Sequence, residues 1–247
     1  MKNILTKIYI HPFFLLCVLI FILIGKFKFL LYFMLLITVH ELGHILVSQI
    51  FKWNIDKIII LPFGGLTKFN EIINKPLIEE FLIAISGILF QMFFYIIIKD
   101  YINYKYFNII NYFILVFNLI PIYPLDGSKI LNVIFNKLTS FKNSLLYTVI
   151  ISYILIILLS IISIKINKLI VLVLIFLFKE SNKLYKDRNN IFNKFLLERY
   201  LNDYKFKREK TIKNVNNMKK DYRHILYIDN KYLTEKSFLK KMFDITR

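Results

Sequence analysis

The sequence predicts an all-α polytopic membrane protein: about six transmembrane helices, a short re-entrant strand-loop and a small α+β cytoplasmic tail. Three observations carry this. The 247-residue chain is 57% hydrophobic and 20% charged, where soluble chains stand at roughly 45–50% and about 25%. Its apolar residues come in blocks, several long enough to cross about 30 Å of hydrocarbon as a helix. Its formal charge of +18 is concentrated beyond the last block: residues 179–247 hold 19 of the 34 Lys and Arg and 9 of the 16 Asp and Glu.

The candidate spans are Pro12–Gly25, Phe29–Phe51, Phe81–Ile98, Tyr106–Leu125, Asn143–Ile164 and Ile166–Phe178. The first and last are short, and flanking Lys26, Lys165 and Lys168 can snorkel to make them workable. The basic, then apolar N-terminus has no small-residue cleavage site, so it reads as a retained anchor. Cys17 is the only cysteine, which excludes an internal disulfide. Between the second and third spans, Ile58–Leu61 and Pro62-Phe63-Gly64-Gly65 read as a short strand and turn dipping back toward the membrane. Irregular backbone at that depth must line a cavity or pack on protein; the pattern alone fits an ordinary surface turn equally well.

Beyond Phe178 the composition changes. Residues 179–204 form an amphipathic helical pattern with Ile191, Phe195, Leu196 and Tyr200 on one face. In the basic stretch 205–247, His224–Ile228 reads as a strand, Asp229-Asn230 as a turn and Glu235–Phe243 as a helix. So short a segment cannot build a sound core alone and is expected to dock. Its charge suits nucleic acid or anionic lipid. Lipid is favoured and nucleic acid set aside, because six spans put 28 of the 34 Lys and Arg on one side, which is then cytoplasmic with both termini.

The chemistry is expected at His40-Glu41-Leu42-Gly43-His44. His-Glu-x-x-His on a helix sets two imidazoles one turn apart on one face, the spacing that grips one tetrahedral Zn²⁺. The intervening Glu41 can take a proton from an attacking water and pass it to the leaving amine. Three ionisable groups inside one apolar span are costly and mark function. The third protein ligand is expected at Asp126, in Asn118-Leu-Ile-Pro121-Ile-Tyr-Pro124-Leu125-Asp126-Gly127, at the end of the fourth span. Its alternative is an Asp-Gly turn. Zn²⁺ with ionised Asp126 and Glu41 sums to zero formal charge, which lowers the cost of burial.

These two motifs resemble the site-2 protease family of intramembrane zinc proteases. His11-Pro12-Phe13, Leu61-Pro62-Phe63-Gly64-Gly65, Lys75-Pro76-Leu77-Ile78-Glu79-Glu80-Phe81 and Phe195-Leu196-Leu197-Glu198-Arg199-Tyr200 resemble its sporulation branch. The resemblance covers residues 1–204. It implies one Zn²⁺ per chain on His40, His44 and Asp126, with Glu41 as catalytic acid/base. It implies substrate contacts at Asn118, Pro124, Gly64 and Gly65. It also implies a membrane-tethered sigma-factor precursor as substrate, inhibitory membrane proteins as partners, and the mother-cell membrane around the forespore as location. Alternative substrates are an anti-sigma factor or a signal-peptide remnant; a metal transporter is the reading from another class. The domains implied are a metalloprotease domain 1–178, a helical linker 179–204 and a tail 205–247 similar to a truncated CBS half. Ser86-Gly87-Ile88 and Ser128 depart from the common family pattern and are expected to lie away from the chemistry.

Overall fold

The computed structural model describes residues 8–10, 12–61, 64–69, 73–102, 104–166, 169–206, 208–228 and 230–244. His11, Pro62, Phe63 and Asp229 of the motifs above lie outside the described residues.

The bundle is α1 (Pro12–Leu23), α2 (Phe27–Ile50), α3 (Leu77–Ile98), α4 (Phe107–Leu119), α5 (Asp126–Leu138), α6 (Phe141–Ile166) and α7 (Leu169–Leu201), largely apolar except for α5 and the second half of α7. Among the described residues, three helices are long and apolar enough to cross a membrane: Phe27–Ile50, Leu77–Ile98 and Phe141–Ser163. They keep large apolar side chains such as Leu89, Phe93, Ile96, Ile157 and Ile161 on the outside. Water would penalise such a surface and lipid does not.

Two expectations need correction. The stretch between the expected spans Tyr106–Leu125 and Asn143–Ile164 is not a mere connection: most of it forms α5, which opens at Asp126 itself, and α4 stops at Leu119. Ile166–Phe178 and 179–204 are not separate elements either. Nothing between Leu169 and Leu201 breaks the helix, so α7 runs 33 residues, about 50 Å at 1.5 Å per residue.

The strand-loop is larger than expected. β2 (Ile55–Leu61) and β3 (Gly64–Phe69) pair antiparallel, and β1 (Ile8–Ile10) adds in parallel to β2. Gly64 and Gly65 lie within β3, opposite Leu61 and Ile60, not in the turn. β3 is an edge strand among the described residues.

The tail forms a second small sheet, β4 (Glu209–Ile212), β5 (Arg223–Ile228) and β6 (Lys231–Thr234), followed by α8 (Glu235–Asp244). As its size demands, it shares a core with the bundle: Ile212, Met218, Leu226 and Leu239 pack with Phe141 and Leu145 of α6 and Phe192 and Phe195 of α7. At the centre, buried Arg199 donates to Asn74 Oδ1 at 2.7 Å, to the Lys219 and Tyr222 carbonyls, and to Glu235 at 3.1 Å. Glu235 Oε2 also accepts the His224 backbone N–H at 2.9 Å. The Lys219 N–H donates to His224 Nε2 at 3.0 Å, so Nδ1, facing Glu235 at 3.3 Å, carries the ring proton.

This hub makes tail docking sensitive to acid. Burial is the main force holding the His224 pKa below its ordinary 6.5, with the Arg199 charge adding to it. Burial alone would raise the Glu235 pKa, but the His224 hydrogen bond and Arg199 outweigh it and hold the carboxyl below 4.5. As pH falls through 6.5, an undocked His224 takes a proton that the docked one resists, so docking weakens. The Glu235 contribution is lost at lower pH, as its own folded pKa is crossed. Limited proteolysis across residues 205–213 should therefore be slow at pH 7.5 and several-fold faster near pH 5. Equal rates at both pH values would contradict this account.

Candidate active site

α2 places His40 and His44 one turn apart, and both rings face the first residue of α5. His40 Nε2 and His44 Nε2 each lie 2.9 Å from Asp126 Oδ2, and 3.2 Å from each other. All three residues are buried. Among the described residues, they are the His/Asp group whose donor atoms converge closely enough to hold one metal ion. Tetrahedral donors at ~2.0–2.1 Å from a Zn²⁺ stand about 3.3 Å apart, close to the spacing seen.

The surrounding hydrogen bonds decide which ring nitrogens carry protons. His44 Nδ1 lies 2.6 Å from the Ile83 carbonyl, an obligate acceptor. His40 Nδ1 lies 3.1 Å from Gln91 Oε1. The Gln91 amide is oriented by Asn111, because its Nε2 donates to Asn111 O and Oδ1 at 3.2 and 3.0 Å. Both Nδ1 atoms are therefore donors in the neutral rings, and both Nε2 atoms present lone pairs. Two lone pairs and a carboxylate oxygen then converge in a buried space, an arrangement that repels itself unless a cation draws the three together.

The other groups arrive from α2, β3, α4 and the turn before α5. Glu41 follows His40 and is buried; its Oε2 accepts a short hydrogen bond from Thr67 Oγ1 of β3. Gly65 of β3 passes so close to Glu41 that a Cβ there would overlap its carboxylate. Asn118, near the end of α4, lies beneath Gly64 and donates its Nδ2 to the Ile114 carbonyl at 3.0 Å. Pro124 is buried in the turn leading to Asp126, after a cis Tyr123–Pro124 peptide. That turn is tied to the bundle: the Tyr123 N–H donates to Ser152 Oγ of α6 at 3.0 Å, and Ser181 Oγ of α7 donates to the Tyr123 carbonyl at 3.2 Å. Asp126 also benefits from opening α5, since a helix N-terminus favours negative charge.

Comparison with known proteins identifies the family. The model of peptidase family M50 matches residues 28–102 and 99–162. Stage IV sporulation protein FB of Bacillus subtilis (strain 168) is 34% identical over 217 residues, covering 80% of this chain and 73% of that one. The chain belongs to peptidase family M50. A zinc metalloprotease of Methanocaldococcus jannaschii is 34% identical over 110 residues, 41% of this chain and 32% of that protein. The solved site-2 protease from Methanocaldococcus jannaschii superposes with a TM-score of 0.58 at 25% identity, over 71% of this chain and 89% of that one. This M50 member is thus a membrane-associated metalloprotease of the site-2 type, and the family implies a bound metal.

The structure brings His40, Glu41, His44, Asp126, Asn118, Gly64 and Gly65 to this region, with Pro124 in the turn before Asp126, and adds some residues that sequence reasoning missed. Thr67, followed by Lys68 and Asn70, carried no signal, whereas Gln91 and Asn111 carried one, because each is a polar side chain within a largely apolar helix. Lys129 carried less: its Nζ lies 2.8 Å from Asp126 Oδ1, so the zero-charge count for the buried site omitted one positive charge. The expectation that Ser86-Gly87-Ile88 lies away from the chemistry is wrong. A Cβ on Gly87 would collide with His44 Nε2 and His40 Nε2. Ser128 does lie outside the group, with its Oγ donating to the Leu125 carbonyl at 2.7 Å.

Proposed function

We propose that the protein is a zinc-dependent intramembrane endopeptidase that cuts a membrane-tethered sigma-factor precursor near the cytoplasmic leaflet during sporulation. The observation that carries the reading is the convergence of His40, His44 and Asp126 on one buried point, with Glu41 beside it. His40, His44 and Asp126 are the proposed ligands of one Zn²⁺ per chain. A bound Zn²⁺ would polarise the scissile carbonyl and make water acidic enough to attack at neutral pH.

The chain's own residues supply the rest. Glu41 takes a proton from the attacking water and passes it to the leaving amine. Thr67 fixes the carboxylate that does this. Lys129 occupies Asp126 Oδ1 and leaves Oδ2 for the imidazoles. Gly64, Gly65, Asn118 and Pro124 form the proposed substrate contacts. A substrate helix must unwind to be cut, and the open edge of β3 can hold the extended chain by strand addition.

In this reading the chain has about six spans with both termini cytoplasmic, an arrangement that delivers His40, His44 and Asp126 to the cytoplasmic leaflet. In this reading the CBS-like tail docks there, inhibitory membrane proteins restrain the enzyme, and the mother-cell membrane around the forespore holds it.

The reading is tested by co-expression with tethered sigma-factor precursors. Wild type should release the soluble factor and Asp126→Ala should not; release by both, or by neither, would refute it. The hydrogen bond from His40 to Gln91 gives a second check. Gln91→Leu should weaken metal binding about 10–100-fold, as loss of such an orienting partner does elsewhere. Competition with a graded chelator measures it, and unchanged affinity would remove Gln91 from the account.

A further inference from the structure

Beside the catalytic group, α3, α5, α6 and α7, with Trp53 and Phe69, line a half-open cavity of about 230 Å³. Its wall is largely apolar, from Trp53, Phe69, Ile83, Ala84, Leu145 and Leu184. We infer that this cavity is a specificity pocket for one large apolar side chain of the substrate, aliphatic or aromatic. The inference rests on the proteolytic reading above.

Continuity with the site is the first argument. Ile83 offers its carbonyl to His44 and also lines the cavity. Lys129, which also lines it, is the residue whose Nζ meets Asp126 Oδ1. The cavity is therefore the other side of the walls that hold the catalytic group.

Register is the second argument. Gly65 lies on Glu41, Thr67 bonds Glu41, and Phe69 ends the same strand at the cavity. These alternate residues share one face of β3. At about 3.3 Å per residue, Phe69 is roughly 13 Å beyond Gly65. A strand laid on the open edge of β3 thus carries the residue two to four positions from the cut to the cavity mouth. Alternation sends one of those side chains inward.

Chemistry is the third. A space of ~150 Å³ suffices for a benzene ring, so this one has room for Leu, Ile, Met or Phe. A charged side chain would be left without partners over most of the wall. Glu80, the acidic residue on the wall, is neutralised by an ion pair with Lys220 of the tail.

The test uses full-length protein in proteoliposomes with a library of single-span reporters whose residues vary for four positions on either side of the cut. Products are read by mass spectrometry. Wild type should favour Leu, Ile, Met or Phe over Asp and Gly at one position two to four residues from the cut. Ala84→Leu fills the cavity. It should lower cutting of Leu and Phe reporters about tenfold or more while Ala reporters keep their rate. Leu145→Ala enlarges the cavity, should shift preference toward Phe and Trp, and guards against misfolding of the first variant. Cutting with no such preference, or preferences unmoved in every folded variant, would overturn the pocket and leave the protease reading standing. No cutting of any reporter by metal-loaded wild type would overturn both.

Discussion

Glu41→Gln is expected to keep the metal and lose peptide-bond hydrolysis by about 10²–10⁴-fold, the usual worth of a positioned acid/base. The two properties separate because different atoms serve them. His40 Nε2, His44 Nε2 and Asp126 Oδ2 converge on one point, and Glu41 is not among them. Its carboxylate instead turns to Thr67 Oγ1, under the strand carrying Gly65. A glutamine there has almost the same volume, so packing against Gly65 survives, and its carbonyl oxygen can still accept from Thr67. What it cannot do is take a proton from water and return it to an amine. Metal content by elemental analysis and cleavage of a tethered substrate, measured on one preparation, check this. Full-rate cleavage would refute the acid/base role. Loss of metal with activity would show that Glu41 holds the site together and does not turn it over.

How much of this was legible in the sequence depended on whether a signal was local. His40 and His44 are legible because helix geometry alone joins residues four apart. Asp126 is legible because prolines and Asp-Gly mark a break after an apolar run. α5 was hidden because Lys129, Asn132, Asn136 and Lys137 make the segment polar enough to pass for a loop. The helix exists because Val133 and Asn136 pack inward while Lys129 reaches back to Asp126. α7 was split because polarity changes at Lys179 and Glu180, yet a change of solvent does not break a helix lacking Pro and Gly. β3 was read as a turn because glycines dominate its start. Pairing of Gly64, Gly65 and Leu66 with Leu61, Ile60 and Ile59 makes it a strand, and propensity does not reveal that pairing. Gln91 selects the His40 tautomer only once α3 lies on α2, with Asn111 of α4 turning its amide. Tertiary packing created each of these features.

Gly87→Ala should be nearly as damaging as removal of a ligand, although intrinsic propensity argues the reverse. In a helix interior the change normally favours folding by about 1 kcal/mol. Here the added methyl would point between His40 Nε2 and His44 Nε2, the two atoms that must share a metal with Asp126. The rings cannot retreat freely. His44 Nδ1 is anchored on the Ile83 carbonyl and His40 Nδ1 on Gln91, both from α3, the helix that carries Gly87. Moving α3 away to admit the methyl would break both anchors at once. A displacement of about 1 Å at reacting groups costs on the order of 100-fold, so metal affinity and cleavage should each fall by about that factor or more. The helices themselves should survive, with unchanged far-ultraviolet circular dichroism and a melting temperature near wild type once both proteins are stripped of metal. That pairing distinguishes a distorted site from a misfolded protein. If Gly87→Ala bound metal with wild-type affinity, the imidazoles would have to approach from a direction other than the one seen, and the assignment of their Nε2 atoms to the metal would fall with it.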